Sequence, residues 1–227
     1  MSEDYSDCAR CPFPVAERLC RNPEGRAPGF CPTRDLPLLA EEGMKLYRES
    51  GMLEFARQAS IQEAEGYAGR EKGYARVRPC KTRIEEIAEF SRKMNFSRLG
   101  LAFCVGLRRE AKIVAELYSG WGFEVVSVIC KVGCRDKELI GLDGKQKIVP
   151  DEPEAMCNPV TQALVVNRAR TDFNILLGLC VGHDSMFLRH AEAPCTILAV
   201  KDRVLGHNPL AAVYNCDSYY RSLKQVR

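Results

Sequence analysis

Short apolar runs alternate with amphipathic segments from about residue 80 to the end of the chain. The amphipathic segments have helical spacing, and Thr82 and Glu85 form a capping box ahead of one of them. Strands that alternate with helices are typical of a parallel sheet. The pattern therefore predicts an α/β domain with a four-stranded, mostly parallel, Rossmann- or flavodoxin-like sheet in the order 2-1-3-4. The four predicted strands are residues 99–105, 123–130, 173–181 and 196–200.

The chain before residue 80 has a different character. Residues 1–34 are rich in Cys, Pro and Gly, and predict a cysteine-rich metal-binding knuckle. Residues 35–79 predict a helical hairpin, with Asp35 as the first helix cap, followed by a linker from Tyr67 to Pro79. The predicted organisation is therefore a knuckle, a hairpin with linker, and an α/β domain over residues 80–227.

Composition narrows the class of protein. The chain has 227 residues and twelve cysteines, its first residues lack the apolar core of a signal peptide, and no apolar run is long enough to cross a membrane. We therefore expect a cytoplasmic protein with no membrane partner, whose thiols stay reduced and bind metal or react. The net charge of +3 comes from interspersed charges, which argues against a nucleic-acid partner.

Four of the cysteines lie close together near the N-terminus. Four thiolates in a segment with so few apolar residues suit a tetrahedral metal site, because the ion supplies folding energy that a core would otherwise give. The spacing predicts a zinc ion, or an iron–sulfur cluster because two of the cysteines precede proline, with disulfides or free thiols as the alternative. The predicted metal ligands are Cys8, Cys11, Cys20 and Cys31.

A second group of cysteines is predicted at one edge of the sheet. In a parallel sheet all strands end at the same edge, and Cys104, Cys130 and Cys180 follow or end predicted strands. Cys134 and Cys157 lie in the loops at that edge, and Cys80 precedes the helix that leads into the first strand. A lone Cys at a strand end is commonly a small core residue, and Cys130 can be interpreted in that way. The predicted ligands of an iron–sulfur cluster or other metal are Cys104, Cys134, Cys157 and Cys180.

Other polar residues near this edge are candidates for proton transfer. His183 and His207 lie in the loops after the third and fourth strands and are the predicted catalytic residues, acting as acid or base. Asp184 is interpreted as a helix cap. Residues 136–155 form a polar loop that is long for a compact domain, which is typical of lids and binding loops. Cys195 falls at the opposite edge, and Cys216 has no predicted place.

These motifs resemble a known family. The N-terminal cysteine quartet, the MCNP turn at residues 156–159, GLCVGHD at 178–184 and VKDRVLGHNP at 200–209 together look like a prokaryotic family of unknown function whose members are labelled as metal-binding proteins. The similarity covers most of the chain. The resemblance implies metal binding, but it assigns no ligands and no reaction.

The leading hypothesis is a metal- or iron–sulfur-binding protein with two cysteine sites. The N-terminal site would be closed, and the site at the sheet edge could support redox or sulfur chemistry. Its expected partners are the metal ion or cluster and a small molecule or redox partner of unknown identity. One alternative is a metal-independent thiol–disulfide redox protein in which Cys130 and Cys134, or Cys104 and Cys180, cycle, with Cys157 as the candidate low-pKa thiol. Another is a non-enzymatic, metal-stabilised binding module. The sequence does not decide whether the protein is an enzyme.

Overall fold

The computed structural model describes residues 5–225. The chain forms two compact units, Met1–Ala64 and Glu65–Arg227. The three-part division predicted from the sequence stays a prediction, and its middle segment, residues 35–79, is shared between the two units.

From residue 5 on, the α-helices of the first unit are α1 (Pro32–Asp35), α2 (Pro37–Glu49) and α3 (Met52–Glu65). A proline opens α1 and α2, where its fixed φ suits the first turn and its missing N–H costs nothing. The predicted cap at Asp35 is wrong, because this residue ends α1 and the next helix starts at Pro37.

The second unit begins with a small hairpin. The segment predicted as a linker or surface loop, residues 67–79, is closed at its base by a short antiparallel pair, β1 (Tyr67–Ala68) and β2 (Arg78–Pro79). The sequence also predicts a final helical piece over residues 218–226. The structure has a short 3-10 helix there, Arg221–Lys224, and residue 226 lies outside the described residues. The remaining elements are α4 (Arg83–Lys93), β3 (Arg98–Phe103), α5 (Arg108–Gly120), β4 (Glu124–Ile129), α6 (Pro159–Arg168), β5 (Phe173–Leu177), α7 (His183–His190), β6 (Cys195–Ala199) and α8 (Leu210–Tyr214).

Four of these strands form one parallel sheet in the order β4-β3-β5-β6. The predicted four-stranded parallel sheet is confirmed, and in chain order its strands read 2-1-3-4. Phe103 at the end of β3 is in register with Ile129 of β4 and with Leu177 of β5. Three strands therefore end at the same level.

Both faces of the sheet are covered. Ala102, Val128 and Leu176 form a buried cluster on one face with residues of α6 and α7. Leu99 and Phe173 are paired in register and point to the other face, where Phe173 contacts Phe90 of α4. All five residues of β5 are buried, and four of them are apolar, as expected of a strand covered on both faces.

Local signals set several helix starts. The predicted capping box is present, since the Thr82 N–H donates to the Glu85 carboxylate over 2.8 Å. Asn158 caps α6, because its side-chain oxygen accepts from the Thr161 N–H over 3.0 Å. Helix α7 starts at His183, so the predicted cap at Asp184 is wrong.

The long polar loop, residues 136–155, is closed at its base. Asp136 and Ala155 form an isolated antiparallel bridge, and two 3-10 turns, Lys137–Ile140 and Gly144–Gln146, lie between them. Its predicted action as a lid stays a prediction. Among the helices of residues 5–225, none is both long enough and apolar enough to cross a membrane.

One glycine of the central strand is required by close packing. A Cβ on Gly100 would lie 2.1 Å from Oδ1 of Asn174, which is fully buried and accepts a hydrogen bond from Thr171. We expect Gly100→Ala to lower the free energy of unfolding by about 2–3 kcal/mol through overpacking, measured by urea denaturation. The control is Gly120→Ala at the end of α5, where a Cβ meets nothing within 4 Å. Equal stability of the two variants would contradict this packing.

Candidate thiol site at the sheet edge

Three cysteines meet where β3 and β4 end. Cys104 follows β3, Cys130 follows β4, and Cys157 precedes the cap of α6. Cys104 and Cys130 are 6% and 3% exposed, whereas Cys157 is only partly buried. We call these three residues the thiol cluster. Cys157 is its outermost member and the one that a reagent in solution reaches first.

Cys130 is the middle member of the cluster. Its Sγ lies 3.7 Å from the Sγ of Cys157 and accepts a hydrogen bond of 3.2 Å from the Val105 N–H. Its side chain also interacts with that of Cys104, which the strand register places beside it. Cys130 therefore lies between the other two thiols. The sequence interpretation of Cys130 as a packing residue of the strand did not predict that it lies between two other cysteines.

The surroundings of Cys104 favour a thiolate. The hydrogen bond with Cys130 lowers the pKa of Cys104 strongly, and the Gly106 N–H and the Lys201 ammonium lower it further against the opposing effect of burial. Lys201 comes close because Gly106 has no side chain, since a Cβ there would lie 3.1 Å from Lys201 Nζ and 3.9 Å from Cys104 Sγ. The hydrogen bonds to Cys104 and Cys157, together with burial, raise the pKa of Cys130. The central thiol thus keeps its proton.

Cys157 is also shifted toward the thiolate. The hydrogen bond with Cys130 lowers the pKa of Cys157 to about 6, and the positive charges of Lys131 and His183 act in the same direction. Lys131 is held in place, because its ammonium donates to the Ala155 carbonyl and pairs with Glu154 at 3.8 Å. At neutral pH, Cys157 is therefore a partly exposed thiolate beside a protonated thiol.

A buried amide fixes the strand ends under the cluster. Gln162 of α6 is fully buried, and its side-chain NH₂ donates to the carbonyls of Phe103, at 3.2 Å, and Val128, at 2.8 Å. The Asn158 N–H donates to the Cys130 carbonyl over 2.7 Å, which ties the residue after Cys157 to β4. The sequence predicted none of these supports. A polar Gln on the apolar face of α6 is the one signal that could have indicated Gln162.

Two of the predicted ligands of the edge site, Cys134 and Cys180, lie outside the thiol cluster. Cys134 is exposed on the turn after β4, with a φ of 45°. Cys180 is half-buried, and its Sγ accepts from Arg203 over 3.1 Å. Of the four predicted ligands, the structure joins Cys104 and Cys157 through Cys130, and the metal-binding roles of all four stay predictions.

The two predicted catalytic histidines differ in position. His183 opens α7 and its charge acts on Cys157, so it belongs to the neighbourhood of the thiol cluster. His207 closes a turn with Asp202. Its ring Nδ1 accepts from the Asp202 backbone N–H over 3.1 Å, and its backbone N–H donates to the Asp202 carbonyl. Their catalytic roles stay predictions.

The N-terminal cysteines line a single cavity of about 40 Å³. Cys8 and Cys20 are exposed, and Cys11 and Cys31 are half-buried. The four thiols share one cavity, but their sulfur atoms do not converge on a single point as metal ligands would. Among residues 5–225, no group of three or more His, Cys, Asp and Glu side chains is drawn together tightly enough to hold a metal ion as it stands.

The fold and the cluster define a parallel α/β protein with three contacting thiols at the carboxyl edge of its sheet. The chain belongs to a family described as "Protein of unknown function (DUF1847)", whose model matches residues 31–198. A curated relative, "Uncharacterized protein MJ0455" of Methanocaldococcus jannaschii, is 49% identical over 140 residues, which are 62% of this chain and 69% of the relative. No solved structure matches.

Membership in a family of unknown function agrees with the resemblance seen in the sequence. The metal-binding label attached to that resemblance is not confirmed and stays a prediction. The matched segment, residues 31–198, includes the whole thiol cluster and only the last cysteine of the N-terminal quartet.

The charges around Cys157 can be tested by alkylation. We expect the rate of iodoacetamide labelling of Cys157, followed by peptide mass spectrometry, to rise with pH around a midpoint near 6. Lys131→Met should move that midpoint to higher pH, because one positive charge beside the thiolate is lost. Lys137→Met is the matched control, since Lys137 pairs with the same Glu154 but does not act on Cys157. Equal midpoints in the two variants would refute the contribution of Lys131.

Proposed function

We propose that this protein is a thiol–disulfide redox protein whose reactive group is the thiol cluster. The observation that carries the proposal is the 3.7 Å separation of the Cys130 and Cys157 sulfur atoms. Closing this gap to the 2.0 Å of a disulfide bond needs only a small side-chain movement. A partly exposed thiol with a lowered pKa lies beside a buried thiol that keeps its proton.

The two thiols have complementary roles in this proposal. The Cys157 thiolate attacks one sulfur of a substrate disulfide and forms a mixed disulfide, and the other substrate sulfur leaves as a thiolate. Cys130 then attacks the Sγ of Cys157, its proton passes to the second departing substrate thiolate, and a Cys130–Cys157 disulfide remains. The substrate disulfide is reduced to two thiols and the protein dithiol is oxidised.

The charges near Cys157 favour anionic substrates. Lys131 and His183 act on Cys157, Lys201 lies beside Cys104, and Arg203 holds Cys180. A cluster of positive groups raises the local concentration of negatively charged disulfides. The preferred substrate is therefore a disulfide that carries carboxylates or similar groups, in a small molecule or at the surface of a partner protein.

Substitutions at the cluster test the redox function. We expect Cys157→Ser to lower the rate of reduction of an anionic aromatic disulfide, followed by thiol release at 412 nm, by about two orders of magnitude or more, because the nucleophile is lost. Cys130→Ser should release one thiol and stop at the mixed disulfide on Cys157, which intact-mass measurement detects.

The matched control is Cys134→Ser, an exposed cysteine on the same edge. It should keep the rate and the product of the unmodified protein. Metal bound at the edge in anaerobically purified protein, and lost in Cys104→Ser, would instead favour the metal or iron–sulfur hypothesis for this site.

We infer a second function for the N-terminal quartet, which is to hold a structural zinc ion. All four thiols line one small cavity, and within residues 5–64 only Gln62 is buried, so this part of the chain lacks an apolar core. Thiolate ligands that close on zinc would supply the missing folding energy.

Metal analysis tests this second function. We expect about one zinc per chain in protein purified without chelator, and loss of that zinc in Cys11→Ser, together with faster proteolysis of the first unit, because the ion stabilises it. The control is Cys216→Ser, which lies after α8 and outside the quartet. A zinc-free protein in which all four quartet thiols react at the rate of free cysteine would contradict the site.

A further inference from the structure

We propose that the disulfide formed at the surface of the thiol cluster moves inward, from the pair Cys130–Cys157 to the pair Cys104–Cys130. Cys104 would be the third member of an internal relay and Cys157 would be released for another reaction. This inference rests on the proposed redox function and adds to it the place where the disulfide is stored.

The sheet register places Cys104 and Cys130 side by side. Phe103 pairs with Ile129, so the next residues of the two parallel strands, Cys104 and Cys130, continue that register, and the Cys130 N–H donates to the Phe103 carbonyl over 2.9 Å. Neighbouring strands lie about 4.8 Å apart, and residues in register point to the same face. This spacing is within the range of about 4.4–6.8 Å between the Cα atoms of a disulfide.

Cys130 can form a bond with either neighbour. Its Sγ lies 3.7 Å from the Sγ of Cys157, and the strand register places Cys104 on its other side, so Cys130 can be the shared sulfur of two alternative disulfides. Only the Cys157 side of the cluster is open to solvent, because Cys104 and Cys130 are buried. A disulfide between the two buried residues would be shielded from thiols in solution.

The environment of Cys104 supplies the attacking thiolate. Lys201 Nζ and the Gly106 N–H face its Sγ and favour the anion, and both remain when Cys130 has lost its S–H in the disulfide with Cys157. The other titratable groups around the cluster, Lys131 and His183, act on Cys157 and stabilise it as the leaving thiolate. Both the nucleophile and the leaving group of the inward step are therefore stabilised as anions.

The inward step is balanced within the protein. The Cys104 thiolate attacks the Sγ of Cys130, the Cys104–Cys130 bond forms, the Cys130–Cys157 bond breaks, and Cys157 leaves as a thiolate. No proton is exchanged and no further oxidant is needed, because the substrate disulfide supplied the oxidising equivalents in the earlier step. One thiolate is replaced by another.

Disulfide mapping tests the relay. The full chain is treated with bis(2-hydroxyethyl) disulfide, quenched in acid, blocked with N-ethylmaleimide and analysed by peptide mass spectrometry. We expect Cys104 linked to Cys130 and maleimide on Cys157. A Cys130–Cys157 link with maleimide on Cys104 would overturn the relay but leave the redox function intact. Absence of any disulfide within the cluster would overturn both.

Variants separate the steps. Cys104→Ser should stop at the Cys130–Cys157 disulfide, while Cys195→Ser, at the opposite edge of the sheet, should give the product of the unmodified chain. Lys201→Met should slow the appearance of the inner disulfide at pH 7. Once Cys130 is bound in the outer disulfide it has no S–H to donate, so the Cys104 anion depends on Lys201 and the Gly106 N–H. Each pKa unit above the ambient pH lowers the thiolate fraction about tenfold.

We expect the slower inner disulfide in Lys201→Met to come from the lost positive charge, and not from lost packing. Lys201→Arg should therefore restore the rate, and higher pH should restore it in Lys201→Met, whereas formation of the outer disulfide should be unchanged in both. A pH-independent loss that arginine does not repair would overturn the role of Lys201. Circular dichroism confirms that each variant is folded before it is compared.

Discussion

The parallel pairing of β3 with β4 is the constraint on which the cluster depends. Because the two strands are in register at Phe103 and Ile129, they bring one cysteine each to the same level of the sheet edge. The chain turns away immediately afterwards, so the N–H groups of Val105 and Gly106 are free of the sheet and turn to the cysteine sulfurs. A shift of one residue in this register would send the two thiols to opposite faces.

A buried thiolate has an energetic cost that the surroundings must offset. Burial alone raises the pKa of a thiol, and it opposes the shifts of both Cys104 and Cys157. The hydrogen bond from the single S–H of Cys130 outweighs burial at whichever of the two thiols receives it, and Lys201 or Lys131 lies nearby. The rigid scaffold matters here, because Gln162 and the cap of α6 hold the strand ends before any reaction occurs. Donors that are already in place lose little entropy when the anion forms.

Sequence patterns predicted the sheet and its edge, since apolar runs and caps such as Thr82 are local signals. They did not predict which thiols meet. Cys104 and Cys130 become neighbours through strand pairing, and Lys201 reaches the site from beyond β6, 97 positions away from Cys104. The short hairpin at Tyr67 was also missed, because its polar, glycine-rich composition resembles that of a loop. Contacts between residues far apart in the sequence cannot be predicted from the spacing of residues along the chain.

The two groups of cysteines differ in what holds them. The thiol cluster sits on a sheet with a closed apolar core, so its geometry does not depend on a bound ion, and its sulfur atoms can change partners without unfolding the domain. The quartet lies in a segment without such a core. If its thiols released a bound metal ion, the fold of this segment would lose stability as well. The proposed division of roles, with thiol exchange at the sheet edge and a structural metal ion at the N-terminus, follows this difference in scaffold, because a site on a packed core can exchange bonds and remain folded.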